Sequence, residues 1–227
     1  MVPRMRRIAV FARWPEPGQV KSRLSPALPA PLACDLYRGM LEDALACAAG
    51  VEADERFLYW AGAPAARDGF APPPGFRVRD QRGSDLGARL ESAFDDLLRA
   101  PVDRAVILGA DCPGLEPATL RAAFEALEAH DVVLGPARDG GYTLLGLARR
   151  APELLHGIEW STPRVLEQTL ARAASAGRST AVLPELEDLD TPEDLVRWIA
   201  LRAGGGGPDR GRRLDEVLRA IGLLPPG

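Results

Sequence analysis

The chain has 227 residues and a formal net charge of −4, with 46% hydrophobic and 26% charged residues. This length suits one domain with a sizeable core, and the acidic balance argues against a nucleic-acid-binding protein, which needs a basic face. No run reaches the roughly 18 apolar residues of a membrane span, and the three cysteines lack the spacing of a zinc site, a redox site or a disulfide framework. We therefore expect a cytoplasmic protein without a membrane span, and a homodimer is one of the assembly states left open.

Apolar, β-branched runs alternate with amphipathic segments along the chain, which predicts an α/β fold with a mixed, mainly parallel sheet. The predicted strands are 7–12, 56–62, 76–81, 104–110, 131–137, 141–147 and 179–186. The predicted helices are 31–49, 86–100, 117–130, 161–177 and 190–203. The strand at 104–110 (RAVILGA) is almost continuously apolar, as in a central parallel strand buried on both faces.

Capping residues mark the two last predicted helices. Thr162 is the expected N-cap of the helix at 161–177, with Pro163 in its first turn and Gly177 beyond its end. Thr191 and Asp194 resemble a capping box at the start of the final helix. We expect one domain over 1–203, a glycine-rich linker over 204–213 and a short C-terminal helix or tail over 214–227.

Ligands of open α/β sheets bind beyond the carboxyl ends of the strands, so the residues after each predicted strand are the candidate site. Basic residues and glycines follow the early strands, and carboxylates follow the later ones. In chain order, the candidates are Arg13, Gly18, Lys21, Arg23, Asp85, Gly87, Asp111, Asp139, Gly140, Gly141, Tyr142, Asp188 and Asp190. A polyphosphate bridged to a divalent cation would need both groups.

Lys21 is the only lysine in the chain, although the chain has 28 basic residues, and asparagine is absent. Both features indicate a coding bias that replaces lysine by arginine wherever any positive charge suffices. A lysine kept in a glycine-containing loop favours phosphate binding, with a plain surface turn as the alternative. The loop is not a Walker A motif, because only one glycine precedes Lys21.

Asp111 follows the central strand and Asp190 follows the last one. Mg²⁺ or Mn²⁺ prefers hard oxygen ligands and usually takes one or two protein carboxylates together with phosphates, which this pair could supply. Each carboxylate also has a structural alternative. Asp111 could cap the turn into the next helix, and Asp188 could be a solvated charge in an acidic run. Gly140 and Gly141 could simply form a tight turn.

Six segments, FARWPEPGQVKSRL, DLGARL, GADCP, DGGYTLLGL, WSTPRV and DLDTPEDL, carry a resemblance that covers residues 7 to about 200. In this order they resemble a bacterial family of nucleotide-diphospho-sugar transferases with the Rossmann-like GT-A fold, a three-layer sandwich. Its members are often labelled arsenosugar-biosynthesis glycosyltransferases, and it is related to guanylyl- and other nucleotidyltransferases. Arg13 stands where the family pattern has lysine, and the D-x-D of glycosyltransferases is absent after the central strand.

The resemblance implies a role for each part of the candidate site. The loop with Arg13, Gly18, Lys21 and Arg23, together with Asp85 and Gly87, would bind the nucleotide. Asp111 and Asp190 would hold Mg²⁺ or Mn²⁺. The segment with Asp139, Gly140, Gly141 and Tyr142 would face the sugar or a small-molecule acceptor. Asp111, Asp139 and Lys21 form the expected catalytic set.

Three functions remain open from the sequence. The first is a metal-dependent glycosyltransferase that uses a nucleotide-sugar donor and a small-molecule acceptor. The second is a nucleotidyltransferase that joins a nucleoside triphosphate to a phosphorylated small molecule and releases pyrophosphate. The third is a non-catalytic nucleotide-binding module that carries the same fold.

Overall fold

The computed structural model describes residues 5–62, 69–100, 103–204 and 211–225. The strands are β1 (Arg6–Arg13), β2 (Glu55–Ala61), β3 (Phe76–Asp80), β4 (Arg104–Gly109), β5 (Val132–Pro136), β6 (Tyr142–Leu147) and β7 (Thr180–Val182). The helices are α1 (Ala30–Ala49), α2 (Leu86–Leu97), α3 (Pro117–Ala126), α4 (Val165–Ser175), α5 (Pro192–Ala203) and α6 (Arg212–Ala220). Among these residues, no helix is long and apolar enough to cross a lipid bilayer.

The seven strands form one sheet in the order β3-β2-β1-β4-β6-β5-β7. Strand β6 is antiparallel to both of its neighbours, and every other pair of adjacent strands is parallel. Strand β1 lies near the middle and is buried on both faces. Ile8 and Val10 face one core and Ala9 and Phe11 the other, because successive side chains of a strand alternate between its faces. The predicted mixed, mainly parallel sheet is confirmed.

Helices cover both faces of the sheet, so the fold has three layers. One core receives apolar side chains from α1, α3, α5 and α6. The opposite core receives them from α2 and α4. This is the predicted three-layer sandwich, and its sheet presents the carboxyl ends of the six strands other than β6 at one edge.

The start of α4 differs from the prediction. The helix begins at Val165 with Arg164 at its N-cap position and without a side-chain cap, so the expected cap at Thr162 is wrong. The Thr162 hydroxyl donates to the Glu159 carbonyl at 2.7 Å and accepts from the Arg164 amide at 3.3 Å, so it closes a turn that precedes the helix. Ser161 has a positive φ of 65°, which keeps this segment out of the helix. Gly177 follows the end of α4 with a positive φ of 63°, as expected for a residue beyond a helix end.

The C-terminal helix α6 packs against α1 and shares its core through Leu214 and Leu218, both fully buried. The Asp43 carboxylate of α1 accepts hydrogen bonds from the backbone amides of Arg213 and Leu214, each at 3.1 Å. It therefore caps the start of α6 from a neighbouring helix. The helix begins at Arg212, two residues before the predicted boundary. Most of the predicted glycine-rich linker, residues 205–210, lies outside the described residues.

Candidate functional site

The sheet has a topological switch point beside β1. From β1 the chain moves to β2 and β3 on one side of β1, and it then returns to β4 on the other side. Strands β1 and β4 are adjacent and parallel, and they lead to α1 and α3, which pack on the same face of the sheet. The loops that leave these two strands therefore lie side by side at the carboxyl ends, where open α/β sheets bind ligands in a crevice. Lys21 follows β1, and Asp111 follows β4. The sheet order thus brings residues that are far apart in sequence to the same crevice.

Lys21 and three other charged side chains form an array at this crevice. The Lys21 ammonium lies 2.8 Å from Oδ1 of Asp111 and 3.4 Å from Oδ1 of Asp190. Arg23 donates from Nη1 to Oδ2 of Asp190 at 2.9 Å. Only 2% of the Lys21 side chain is exposed, whereas 54% of the Asp111 side chain is exposed. The array is therefore buried at Lys21 and accessible to a ligand at Asp111.

The environment keeps Lys21 charged. Burial by itself lowers the pKa of its ammonium, but the charges and hydrogen bonds of Asp111 and Asp190 outweigh burial and raise the pKa above its ordinary value. The backbone of Lys21 adopts a left-handed conformation, with φ 50° and ψ 36°. Such a conformation costs free energy for a residue with a side chain, and here it precedes the 3₁₀ turn at Ser22–Leu24.

The donor set of Asp111 and Asp190 fits a divalent cation in part. Both carboxylates direct hard oxygen atoms toward one cation position, which suits Mg²⁺ or Mn²⁺. Within the described ranges, however, no group of three or more histidine, cysteine, aspartate or glutamate side chains could hold a metal ion. A metal at this position would therefore need oxygen atoms from elsewhere, and nucleotide phosphates are suitable donors.

The loop that carries Asp190 is held in place by hydrogen bonds. The Asp194 Oδ2 atom accepts from the backbone amide of Asp190 at 3.0 Å, from that of Thr191 at 2.7 Å and from the Thr191 hydroxyl at 2.8 Å. Thr191 in turn caps α5, so the predicted capping box is confirmed. The Leu189 amide donates to the Asp111 carbonyl at 3.0 Å. These bonds fix the spacing between the two acidic loops.

A second pair of carboxylates lies in the neighbouring part of the crevice. Asp188 is half-buried, and its pKa is raised to about 6 by burial, by the negative charge of Asp139 and by that of Asp194. Asp139 is exposed, and its Oδ1 accepts a hydrogen bond from the Gly141 amide at 2.9 Å. Burial therefore distinguishes Asp188 from an ordinary solvated carboxylate in the acidic run at 185–190. The position of Asp188 in the acidic run did not predict that its side chain is half-buried.

The loop after β1 is anchored by side chains that had no sequence signal. The Tyr37 hydroxyl accepts from the Arg13 amide at 2.8 Å and donates to the Arg13 carbonyl at 3.2 Å. The guanidinium of Arg38 donates to the Pro15 carbonyl. The Arg13 side chain is exposed, and Gly18 adopts a positive φ of 81° in open space. The Arg13 side chain and Gly18 are thus exposed to a ligand, whereas the backbone amides of Arg13 and Gln19 donate within the protein.

Gln81 ties together the carboxyl ends of three strands. Its side-chain amide donates to the Ala12 carbonyl at 3.3 Å and to the Tyr59 carbonyl at 3.0 Å. Its backbone amide donates to the Trp60 carbonyl at 2.8 Å. Gln81 follows β3, and its acceptors belong to β1 and β2. The residue positions the loop between β3 and α2 relative to the loop that carries Lys21.

Several predicted ligand-binding residues have structural contacts of their own. Asp85 is the N-cap of α2, and the hydrogen bond from the Ala88 amide, at 2.9 Å, lowers the pKa of its carboxyl group. Gly87 is buried, and a Cβ there would lie 2.7 Å from the indole nitrogen of Trp160. The ring of Tyr142 also packs against Trp160, and its hydroxyl is buried. The ligand contacts expected of these three residues stay predictions.

Comparisons with known proteins agree with this architecture. A family model described as "Uncharacterized protein conserved in bacteria (DUF2064)" matches residues 43–162. The chain is 34% identical over 205 residues to a 3-phospho-D-glycerate guanylyltransferase of Phenylobacterium zucineum (strain HLK1), which covers 87% of this chain and 89% of that protein.

Solved structures share the fold. A protein from Desulfovibrio desulfuricans G20 assigned as a nucleotide-diphospho-sugar transferase has a TM-score of 0.83 at 28% identity, over 96% of this chain and 97% of that one. The manganese complex of Rv0371C from Mycobacterium tuberculosis H37Rv has a TM-score of 0.50 at 20% identity, over 85% of this chain and 97% of that one. The predicted nucleotide-diphospho-sugar transferase fold is confirmed.

Proposed function

The chain belongs to the bacterial DUF2064 family and is a transferase, and we propose that it transfers a nucleotidyl group from a nucleoside triphosphate to a phosphorylated small molecule. The observation that carries the proposal is the charge array at the switch point, in which Lys21 and Arg23 meet Asp111 and Asp190. This array can bind a polyphosphate and a divalent cation side by side. The similarity to a guanylyltransferase favours nucleotidyl transfer over glycosyl transfer.

The proposed reaction is a displacement at phosphorus. A phosphate oxygen of the acceptor attacks the α-phosphorus, the bond between this phosphorus and the α,β-bridging oxygen breaks, and pyrophosphate leaves with the bonding electrons. Lys21 and Arg23 stabilise negative charge on the phosphates, and the loop around Gly18 positions them. Mg²⁺ or Mn²⁺ held by Asp111 and Asp190 would neutralise further phosphate charge. A guanosine triphosphate donor and a phosphorylated small acid as acceptor follow from the 34% identical relative.

Glycosyl transfer from a nucleotide sugar is the second candidate. It is favoured by the similarity to the Desulfovibrio protein assigned as a nucleotide-diphospho-sugar transferase. The same charge array would bind the diphosphate of a nucleotide sugar, so the array by itself does not separate the two reactions. The released product separates them, because only nucleotidyl transfer produces pyrophosphate.

The test is a matrix of donors and acceptors. The purified protein is incubated with Mg²⁺ or Mn²⁺, each of the common nucleoside triphosphates and 3-phosphoglycerate or a related phosphorylated acid. Pyrophosphate is measured by a coupled assay, and the nucleotidyl product by mass spectrometry. We expect pyrophosphate and product in equal amounts with guanosine triphosphate. Consumption of nucleotide sugars, with no pyrophosphate from any triphosphate, would instead support glycosyl transfer.

Two variants connect the reaction to the site. Asp111→Asn removes a charge that faces Lys21 and should lower kcat by at least about a hundredfold. Glu167→Gln removes an exposed charge on α4 and should leave the rate unchanged. Equal rates for both variants would place the reaction elsewhere. Turnover by the wild-type protein would also exclude a non-catalytic nucleotide-binding module. Three expectations stay predictions: acceptor contacts of Asp139, Gly140 and Gly141, a homodimer, and a cytoplasmic location.

A further inference from the structure

Lys21 lies at the position that a cation shared by Asp111 and Asp190 would take. Its ammonium is within 3.4 Å of one oxygen of each carboxylate, and its side chain is almost completely buried. We propose that Lys21 fills the divalent-cation position in the nucleotide-free protein and leaves it when the nucleotide binds, so that the metal enters only with the nucleotide. The first half concerns the free protein alone, whereas the second half rests on the proposed function.

The balance of charge supports this role. Lys21 and Arg23 together neutralise Asp111 and Asp190, so the array carries no net charge before any ligand arrives. Asp190 has Arg23 as a second partner on its other oxygen. In the described part of the chain, Lys21 is the cation that forms an ion pair with Asp111. Removal of the ammonium would therefore leave a half-exposed carboxylate ready to accept a metal ion from solvent.

The choice of lysine also fits an exchange of cations. An ammonium group is a compact point charge on a flexible stem, whereas the guanidinium group of arginine is a planar fork. A compact charge resembles a metal ion more closely and can move to a nearby phosphate by rotation of its stem. The backbone of Lys21 is left-handed, which costs free energy, and its side chain is buried. This lysine stands in a chain that otherwise uses arginine for every basic residue.

A nucleotide would make the metal position available to a divalent cation in two ways. Its phosphates provide Lys21 with new anionic partners, and they also supply oxygen ligands that the two carboxylates by themselves do not provide. Binding of the nucleotide and binding of the metal should therefore be mutually favourable. Because such coupling is reciprocal, it is measurable from either ligand.

The first experiment measures Mn²⁺ binding without any nucleotide. Free Mn²⁺ is followed by electron paramagnetic resonance for the wild-type protein, Lys21→Met and the control Arg82→Gln, which removes an exposed cation outside the array. We expect Lys21→Met to bind Mn²⁺ at least about tenfold more tightly than the wild type, and Arg82→Gln to differ by less than about threefold. Equal affinities for Lys21→Met and wild type would overturn the proposal.

Two further measurements test which residue binds the added Mn²⁺ and whether the variants are folded. In the double variant Lys21→Met/Asp111→Asn, the gain in Mn²⁺ affinity should disappear, which assigns the new site to Asp111. Persistence of the gain would overturn the assignment. The melting temperature and circular dichroism spectrum of each variant verify folding. If Lys21→Met does not fold, Lys21→Gln replaces it with the same expected gain.

The second experiment tests the coupling. Mn²⁺ affinity of the wild type should increase at least about tenfold in the presence of a non-hydrolysable guanosine triphosphate analogue, and the increase should be smaller for Lys21→Met. An equal increase in both proteins would overturn the exchange. If the analogue binds to neither protein while Lys21→Met still gains Mn²⁺ affinity, the proposed function fails and the role of Lys21 in the free protein stands.

Discussion

Replacement of Asp194 by alanine should both destabilise α5 and release the loop that carries Asp190. The Asp194 carboxylate accepts three hydrogen bonds on one oxygen, from two backbone amides and one hydroxyl. Its other oxygen pairs with Arg197. Loss of a helix cap costs about 0.5–2 kcal/mol, and each hydrogen bond to a charged group contributes about 1.5 kcal/mol or more.

Water can replace part of these bonds because the loop is only partly buried, so we expect a total loss of about 2–3 kcal/mol. For a chain of this size, that corresponds to a decrease in melting temperature of about 4–12 °C. Urea denaturation measures the free energy of unfolding directly. The control is Glu193→Ala, which removes an exposed charge from the same first turn of α5. It should cost less than about 1 kcal/mol.

The pH dependence of the Asp194 variant provides a second measurement. Burial raises the pKa of Asp194, but the hydrogen bonds from Thr191 and from the Asp190 amide outweigh it, and the pKa in the folded protein is lowered. Its contribution to stability is therefore present above the unfolded pKa of about 4 and is lost as the pH falls through the folded pKa. The reasoning would be refuted if the free energies of unfolding of Asp194→Ala and the wild type differed by less than about 0.5 kcal/mol at pH 7. It would also be refuted if their difference did not change with pH.

Four further substitutions test the fold. Gly18→Ala and Gly140→Ala both place a side chain at a positive φ, but only at Gly140 would the Cβ lie 2.1 Å from the Pro163 carbonyl oxygen. In denaturation experiments, the free energy of unfolding should fall by about 1 kcal/mol for Gly18→Ala and by at least about 3 kcal/mol for Gly140→Ala. Similar losses for the two variants would contradict a steric clash at Gly140. Asp103→Asn breaks a buried ion pair with arginine and should cost about 3–5 kcal/mol at pH 7. That loss should shrink below about pH 4, because the carboxyl pKa is lowered in the folded protein, and a constant loss would argue against ionisation as its cause. Leu218→Ala should cost about 2–5 kcal/mol in the same assay, and a smaller loss would mean that α6 contributes little to the core.

Local patterns in the sequence predicted the elements and some of their boundaries. The capping box of α5 was recognisable because Thr191 and Asp194 are three residues apart, and its bonds are made within one turn of the chain. The start of α4 was not recognisable in the same way. Ser161 takes a left-handed conformation and Pro163 packs against Gly140, a residue about twenty positions earlier. A contact of that kind leaves no periodic signal.

The residues of the site also divide into those that the sequence predicted and those that only the structure revealed. Alternation of strands and helices, with charged residues at strand ends, was enough to nominate Lys21, Asp111 and Asp190, because parallel strands present their carboxyl ends at one edge. The contacts among them follow from the order of the sheet, which places β4 directly beside β1. The supporting bonds of Tyr37 and Gln81 join backbone groups of separate strands, and neither residue belongs to a local motif.

The amino-acid sequence by itself determined the fold class, the candidate edge of the sheet and the unusual status of Lys21, since periodicity, turn residues and composition are local properties. Only the tertiary structure decided that this lysine is buried between two carboxylates, that burial and nearby carboxylates raise the pKa of Asp188 and that Asp85 caps a helix. Burial and pairwise distance depend on which segments meet, and segments far apart in the chain meet only when the sheet has formed.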